Sequence, residues 1–160
     1  MIKDDTRQTI KFIELLIIIL LLGYFSIIAI FYKAGNPERS EMHELNKIAL
    51  QKTPITHIEK SYHMNRGVNS YALEGVTKSC KRYYFVYLPG RKKGYLLPTS
   101  KGITETAIRS KFTSNESQEQ VLKINLGWYH KRAVWEITSK NKVGDYNYYL
   151  YDFKNGNLIG

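Results

Sequence analysis

Hydrophobicity along this chain is concentrated at one end. From Leu15 to Tyr32 no residue carries a charge, and only Gly23 and Ser26 break an apolar and aromatic run. With Phe12 and Ile13 the segment reaches about 20 residues, and at ~1.5 Å per helical residue it crosses a ~30 Å hydrocarbon core. The pattern predicts a membrane helix over 12–32, behind a tail at 1–11. A cleaved signal would end in small residues at the first and third positions before the cut. Here Ala29 is preceded two places earlier by Ile27, and Ala34 by Tyr32, so a retained anchor is expected.

Beyond the span the periodicity changes. Asn36-Pro37-Glu38 reads as a helix start, with a capping side chain, a proline preset for the first turn and an acid near the positive helix end. Met42, Leu45, Ile48 and Ala49 recur at helical spacing until Pro54. Strand-like stretches follow near 55–63, 69–75, 81–88 and 94–97, separated by Asn65-Arg66-Gly67, Thr77-Lys78-Ser79 and Pro89-Gly90-Arg91.

After Pro98 the order recurs. Thr104 is placed to cap a helix running to about Phe112, with Ile103 stapled onto Ile108. Leu122, Ile124, Leu126 and Trp128 alternate with Lys123, Asn125 and Gly127, the period of a strand with one buried face. Strands near 133–140 and 146–153 lead to Asn155-Gly156, a strong hairpin signal, and a short strand at 157–159. The halves match at an offset of 64 residues: Tyr71 and Leu73 with Trp135 and Ile137, and Phe85 and Tyr87 with Tyr149 and Tyr151. Gly94 and Gly156 match at 62, so the last turn of the first half, at Arg91-Lys92-Lys93, is two residues longer. The expected fold is α+β: a membrane helix, then two units at 36–98 and 100–160, each a helix on an antiparallel sheet of about four strands. Units this small have marginal cores and should pack on each other.

Charge narrows the setting. The chain has 24 Lys and Arg against 14 Asp and Glu, and the first 32 residues hold three of each sign, so the excess of +10 sits beyond the span. Basic residues flank the span almost evenly, and a long trailing domain translocates largely regardless of charge. The simplest topology is a single-pass signal anchor in the cell membrane, N-terminus cytoplasmic, with the C-terminal domains outside. Lys33-Ala34-Gly35 leaves ~10 Å of extended chain to the helix cap, so the first unit should lie close to the bilayer. An outward domain has no use for nucleic-acid binding. Anionic membrane or wall polymers, or an acidic protein face, are the partners such a charge favours. The Arg91, Lys92 and Lys93 turn is the candidate partner-binding feature, since it exceeds the shared repeat; solvation of a turn is its bland alternative.

Three motifs carry a family resemblance: Ile103-Thr104-Glu105-Thr106-Ala107, Val134-Trp135-Glu136-Ile137, and Tyr149-Leu150-Tyr151-Asp152-Phe153 followed by Asn155-Gly156-Asn157-Leu158-Ile159. On them the second unit resembles a PepSY domain, and the first a diverged PepSY-like domain in which Tyr71 replaces the tryptophan and Leu88-Pro89 the Asp step. Anchor and tandem units together are similar to the TseB (YpmB) group of cell-wall elongation regulators of Gram-positive bacteria. The resemblance implies a non-enzymatic protein that binds a membrane-embedded wall-synthesis enzyme, a penicillin-binding protein. The alternative it carries is an inhibitor or chaperone of an exported peptidase. Trp135, Asp152 and Gly156 are its motif residues. Trp135 should be core, and Asp152 should serve backbone donors of the turn at Lys154-Asn155-Gly156.

Catalytic and cofactor chemistry is not expected. His43, His57, His63 and His130 form no ligand motif, and no phosphate-cradling glycine loop or nucleophile elbow occurs. Cys80 reads as a spare turn thiol, and a single cysteine closes no internal disulfide. A pilin-like reading rests on Glu14 at the head of the apolar run. The positions where a prepilin cleavage site needs Gly and Phe are Thr9 and Ile10.

Overall fold

The computed structural model describes residues 2–34 and 36–160. The chain divides into two compact units, Met1–Ser40 and Glu41–Gly160. In the first, helix α1 spans Ile2–Ala34, 33 residues or about 50 Å. Its Arg7–Lys33 stretch holds an 18-residue window of mean hydropathy 2.8 and is long and apolar enough to cross a membrane. Inside it the Ser26 hydroxyl donates to the Leu22 carbonyl at 2.7 Å, so this donor is satisfied within the helix. Helix α2, Asn36–Lys52, begins in the first unit and continues into the second. The capping expected of Asn36 and the spacing at Gly35 lie outside the described residues.

The second unit starts with the rest of α2, which ends where the Thr53 amide and hydroxyl both reach the Ala49 carbonyl and Pro54 follows. Four antiparallel strands come next in sequential order: β1 Ile55–Arg66, β2 Val68–Thr77, β3 Arg82–Leu88 and β4 Lys93–Pro98. A short 3-10 turn at Pro89–Arg91 accommodates the longer connection before β4. Leu45 and Ala49 of α2, one helical turn apart, bury against Tyr71, Leu73, Phe85 and Tyr87 on one face of this sheet.

Helix α3, Glu105–Asn115, follows, with Thr104 Oγ1 accepting the Ala107 amide as the expected cap. Three antiparallel strands complete the chain: β5 Gln120–Tyr129, β6 Arg132–Lys140 and β7 Tyr146–Asp152. The strand expected at 157–159 is reduced to a bridge between Tyr151 and Leu158, supported by Asp152 and Ile159 amide bonds across the turn. The fold is mixed α+β with antiparallel sheets, as the periodicity implies. Gly94 and Gly156, matched in the repeat, do different jobs. Gly156 adopts φ +65°, whereas Gly94 leaves room for the Phe85 ring, 2.5 Å from where a Cβ would stand.

One core joins the two sheets. Tyr84 to Leu88 are all buried, because β3 is covered on both sides. Phe85 and Tyr87 meet α2, while Tyr84, Val86 and Leu88 share a cluster with Ile108, Phe112, Trp135, Ile137 and Phe153. At its centre Trp135, fully buried, takes Tyr62 and Tyr84 edge-on at 5.6 and 5.4 Å between ring centres. Its Nε1 donates to the Ile103 carbonyl at 2.8 Å, fixing the entry of α3.

The outer end of the β1–β2 hairpin abuts β5. Ser70 Oγ accepts the Trp128 amide at 3.1 Å and donates to the Met64 carbonyl. Met64 packs with Val134 and Leu150, and Arg66 pairs with Glu136 at 3.2 Å, so the hairpin also reaches the face of the second sheet opposite Trp135.

A further polar contact ties the loop after α3 to the sheet. The Glu119 carboxylate accepts bonds from Ser139, Tyr149 and Asn147. The Ser139 bond chiefly, with those from Tyr149 and Asn147, holds its pKa below the usual carboxylate value against the opposing effect of burial. The same carboxylate, by its hydrogen bond first, raises Tyr149 to about 12. A depressed acid stabilises the fold above its unfolded pKa and loses that contribution as pH falls through the folded value. A raised phenol acts in the opposite sense, stabilising below its ordinary value of 10 and failing as pH rises through about 12. Glu119→Gln is therefore expected to flatten the acid limb of a plot of melting temperature against pH. An acid limb identical to the native chain's would show that Glu119 contributes nothing there.

Candidate functional site

Antiparallel order places the β5–β6 turn and the C-terminal end of β7 at the same end of the second sheet, because β5 and β7 run in the same direction. Lys131 and Arg132 stand at the first and Lys154 just beyond the second. The open edge of β4 and Lys101 lie opposite. Between them runs a groove of about 600 Å³, lined by Leu96, Leu97, Pro98, Trp128, Ala133 and Phe153 together with these basic residues and Asp152. Leu96, Leu97 and Pro98 are consecutive, so their side chains alternate between sheet faces, and what all three share with the groove is the strand edge. β4 has no second strand neighbour among the described residues. Among the described residues no backbone bond from outside the sheets reaches Lys93–Leu97. An unpaired edge leaves N–H and C=O groups open to another chain.

Charge in the groove is uneven. Arg132 is spent on Asp152, Nη1 to Oδ2 at 3.3 Å. Asp152 Oδ1 also accepts the Lys154 amide at 2.8 Å, the turn-holding role expected of it. Lys101, Lys131 and Lys154 are exposed, and none of them has a carboxylate partner among the described residues. The floor is anchored by Trp128, on which Tyr95 of β4 stacks at 3.9 Å.

The turn that presents Lys131 is strained. Tyr129 pairs with Arg132, leaving the two-residue loop His130-Lys131 with φ of 44° and 67°. Positive φ at both central positions is the pattern of a type I′ turn, which favours Asn-Gly. Side chains there cost about 1–2 kcal/mol per residue. Lys131→Gly is expected to raise stability by about 1 kcal/mol in urea unfolding. A loss of stability would show that the lysine side chain supports the turn.

Arg91, Lys92 and Lys93 do not line the groove, although Lys93 begins β4. All three side chains are exposed, and Lys92, at φ 48°, borders a shallow hollow with Glu44, Ile48, Lys52 and Tyr87 on the α2 side of the sheet. The groove cluster of Lys101, Lys131 and Lys154 was not singled out in the sequence, although strand order alone brings Lys131 and Lys154 to one end. Gly156, at the hairpin after β7, has its bare face against Ile103 Cδ1, 2.8 Å from a built Cβ. Among the described residues no group of three or more His, Cys, Asp or Glu is placed to hold a metal ion. His57 and His63 both lie on β1, with His63 stacked on Tyr71 at 4.3 Å. Cys80 is exposed at φ 58° in the β2–β3 turn.

The fold has a solved counterpart. The YpmB protein from Bacillus subtilis superimposes with a TM-score of 0.63 at 20% sequence identity, covering 74% of this chain and 93% of that one. This chain has a YpmB-like fold. No family model matches the sequence, and no curated protein matches it.

Proposed function

We propose that the chain is a membrane-anchored, extracytoplasmic binding protein without enzymatic activity, regulating cell-wall elongation through contact with a penicillin-binding protein. The observation that carries this reading is the conjunction of an apolar helix long enough to span a bilayer with a YpmB-like fold. The motif resemblance supplies the partner class, and the basic groove at the β4 edge supplies a surface for it. Trp135 and Asp152, the motif residues with chemical potential, are engaged in packing and turn-holding, which favours a structural over a catalytic use for them.

Photo-crosslinking in cells from position 131 tests the reading. Recovery of a penicillin-binding protein is the expected result. Recovery of an exported peptidase instead would move the protein to the inhibitor or chaperone class. Orientation has its own test. Protease added to intact, wall-stripped cells should degrade the region after the span, and survival until lysis would reverse the topology.

A further inference from the structure

We infer that the groove at the β4 edge takes an extended acidic segment of a partner protein, added as a fifth strand to the first sheet. This deepens the binding reading above and rests on it for the class of partner. Three features converge on this occupant. Among the described residues the edge of β4 is unpaired over Lys93–Leu97, so a chain laid beside it gains main-chain hydrogen bonds. The floor is apolar, with Leu97, Trp128, Ala133 and Phe153, so every second side chain of an added strand has somewhere to bury. The rim carries Lys101, Lys131 and Lys154, none with a carboxylate partner among the described residues, so the alternate side chains should be acidic.

A polyanion such as a wall polymer or a phospholipid headgroup would satisfy the lysines. It would leave both the apolar floor and the backbone edge unused. The exposed flanks of β4 agree with a strand position that is kept accessible: Leu96 is 37% exposed, and Lys93 and Gly94 are open to solvent. The left-handed backbone at His130 and Lys131 holds a lysine over the groove at a conformational cost that Asn-Gly would avoid.

The test uses the full chain in detergent micelles and an acetylated peptide of about eight residues alternating glutamate and valine. The peptide should bind, and amide exchange should slow within Lys93–Leu97. The same peptide N-methylated at four consecutive central residues keeps its charges but cannot pair on either edge, and its affinity should fall roughly tenfold or more. The double variant Lys131→Glu/Lys154→Glu should weaken binding by roughly tenfold or more. The charge-matched control Lys140→Glu/Lys142→Glu, at the opposite end of the second sheet, should bind nearly as the native chain does. Circular dichroism of both variants confirms that they are folded.

No binding below about 1 mM overturns the inference. So does equal weakening by the two double variants, which would make the overall field responsible. Equal binding of the methylated peptide, with displacement by inorganic polyphosphate, would assign the groove to a polyanion. If the peptide fails while crosslinking recovers a penicillin-binding protein, only the strand-addition mode falls. If the peptide binds while crosslinking recovers another protein, only the partner class falls.

Discussion

Trp135→Ala should cost about 3–5 kcal/mol of stability, the range for truncating a large aromatic in a packed core. The indole is fully buried, with Tyr62 and Tyr84 edge-on against it, so its removal leaves a cavity between the two sheets. Its Nε1–H is also the partner of the Ile103 carbonyl at the entry to α3, and a part-buried acceptor left without a donor adds to the loss. Trp135→Phe separates the two effects. It restores much of the volume but no donor, and should cost about half as much. Urea unfolding of the full chain in detergent, followed by circular dichroism, measures both. A loss under about 1 kcal/mol for the alanine variant would mean that the sheets re-pack freely around the site.

Gly127→Ala is expected to be the next most damaging change. The backbone at Gly127 is extended, so the requirement is for space and not for an unusual conformation. A Cβ there would stand 2.6 Å from Met64 Cβ and 2.7 Å from Ser70 Oγ. Met64 Cβ belongs to the root of a side chain on a paired strand, so it cannot swing aside as a side-chain end can. The β1–β2 hairpin must therefore lift from β5, weakening the Ser70 bond to the Trp128 amide and the burial of Met64. Overpacking of this kind costs about 1–3 kcal/mol, and the bond between halves adds to it. Gly23→Ala, with nothing within 4 Å of its Cβ, is the matched control and should leave unfolding of the second unit unchanged. If Gly127→Ala proves as mild, the contact between hairpin and β5 is looser than the structure has it.

Both changes act where the two halves meet, and that junction is what the linear pattern describes least well. The apolar run at the start, the helix before Pro54, the cap at Thr104 and the alternating strands are local signals, set by periods of 3.6 and 2 and by turn residues, and each is legible in the sequence. The repeat at 64 residues likewise implies a second helix on a second antiparallel sheet. The short final strand is legible as Asn157 to Ile159, and in the structure it meets β7 through one bridge, Tyr151 with Leu158, and flanking backbone bonds.

Burial on both faces of β3 was written in the uninterrupted run Tyr83-Tyr84-Phe85-Val86-Tyr87-Leu88, yet nothing local says which neighbour covers which face. Only packing assigns Phe85 to α2 and Tyr84 to Trp135. The candidate site divides the same way. Lys131, Arg132 and Lys154 share one end of a sheet by strand order alone. The β4 edge and Lys101 come to face them through packing between the halves, such as Tyr95 on Trp128. The basic turn at Arg91, Lys92 and Lys93 is legible because it exceeds the shared repeat, whereas lysines at 101, 131 and 154 are far apart in sequence and meet only in the fold. Periodicity determines elements and their buried faces, because those follow from one chain segment meeting water or not. Which elements share a groove depends on long-range packing of large side chains, and that was decided by the tertiary structure.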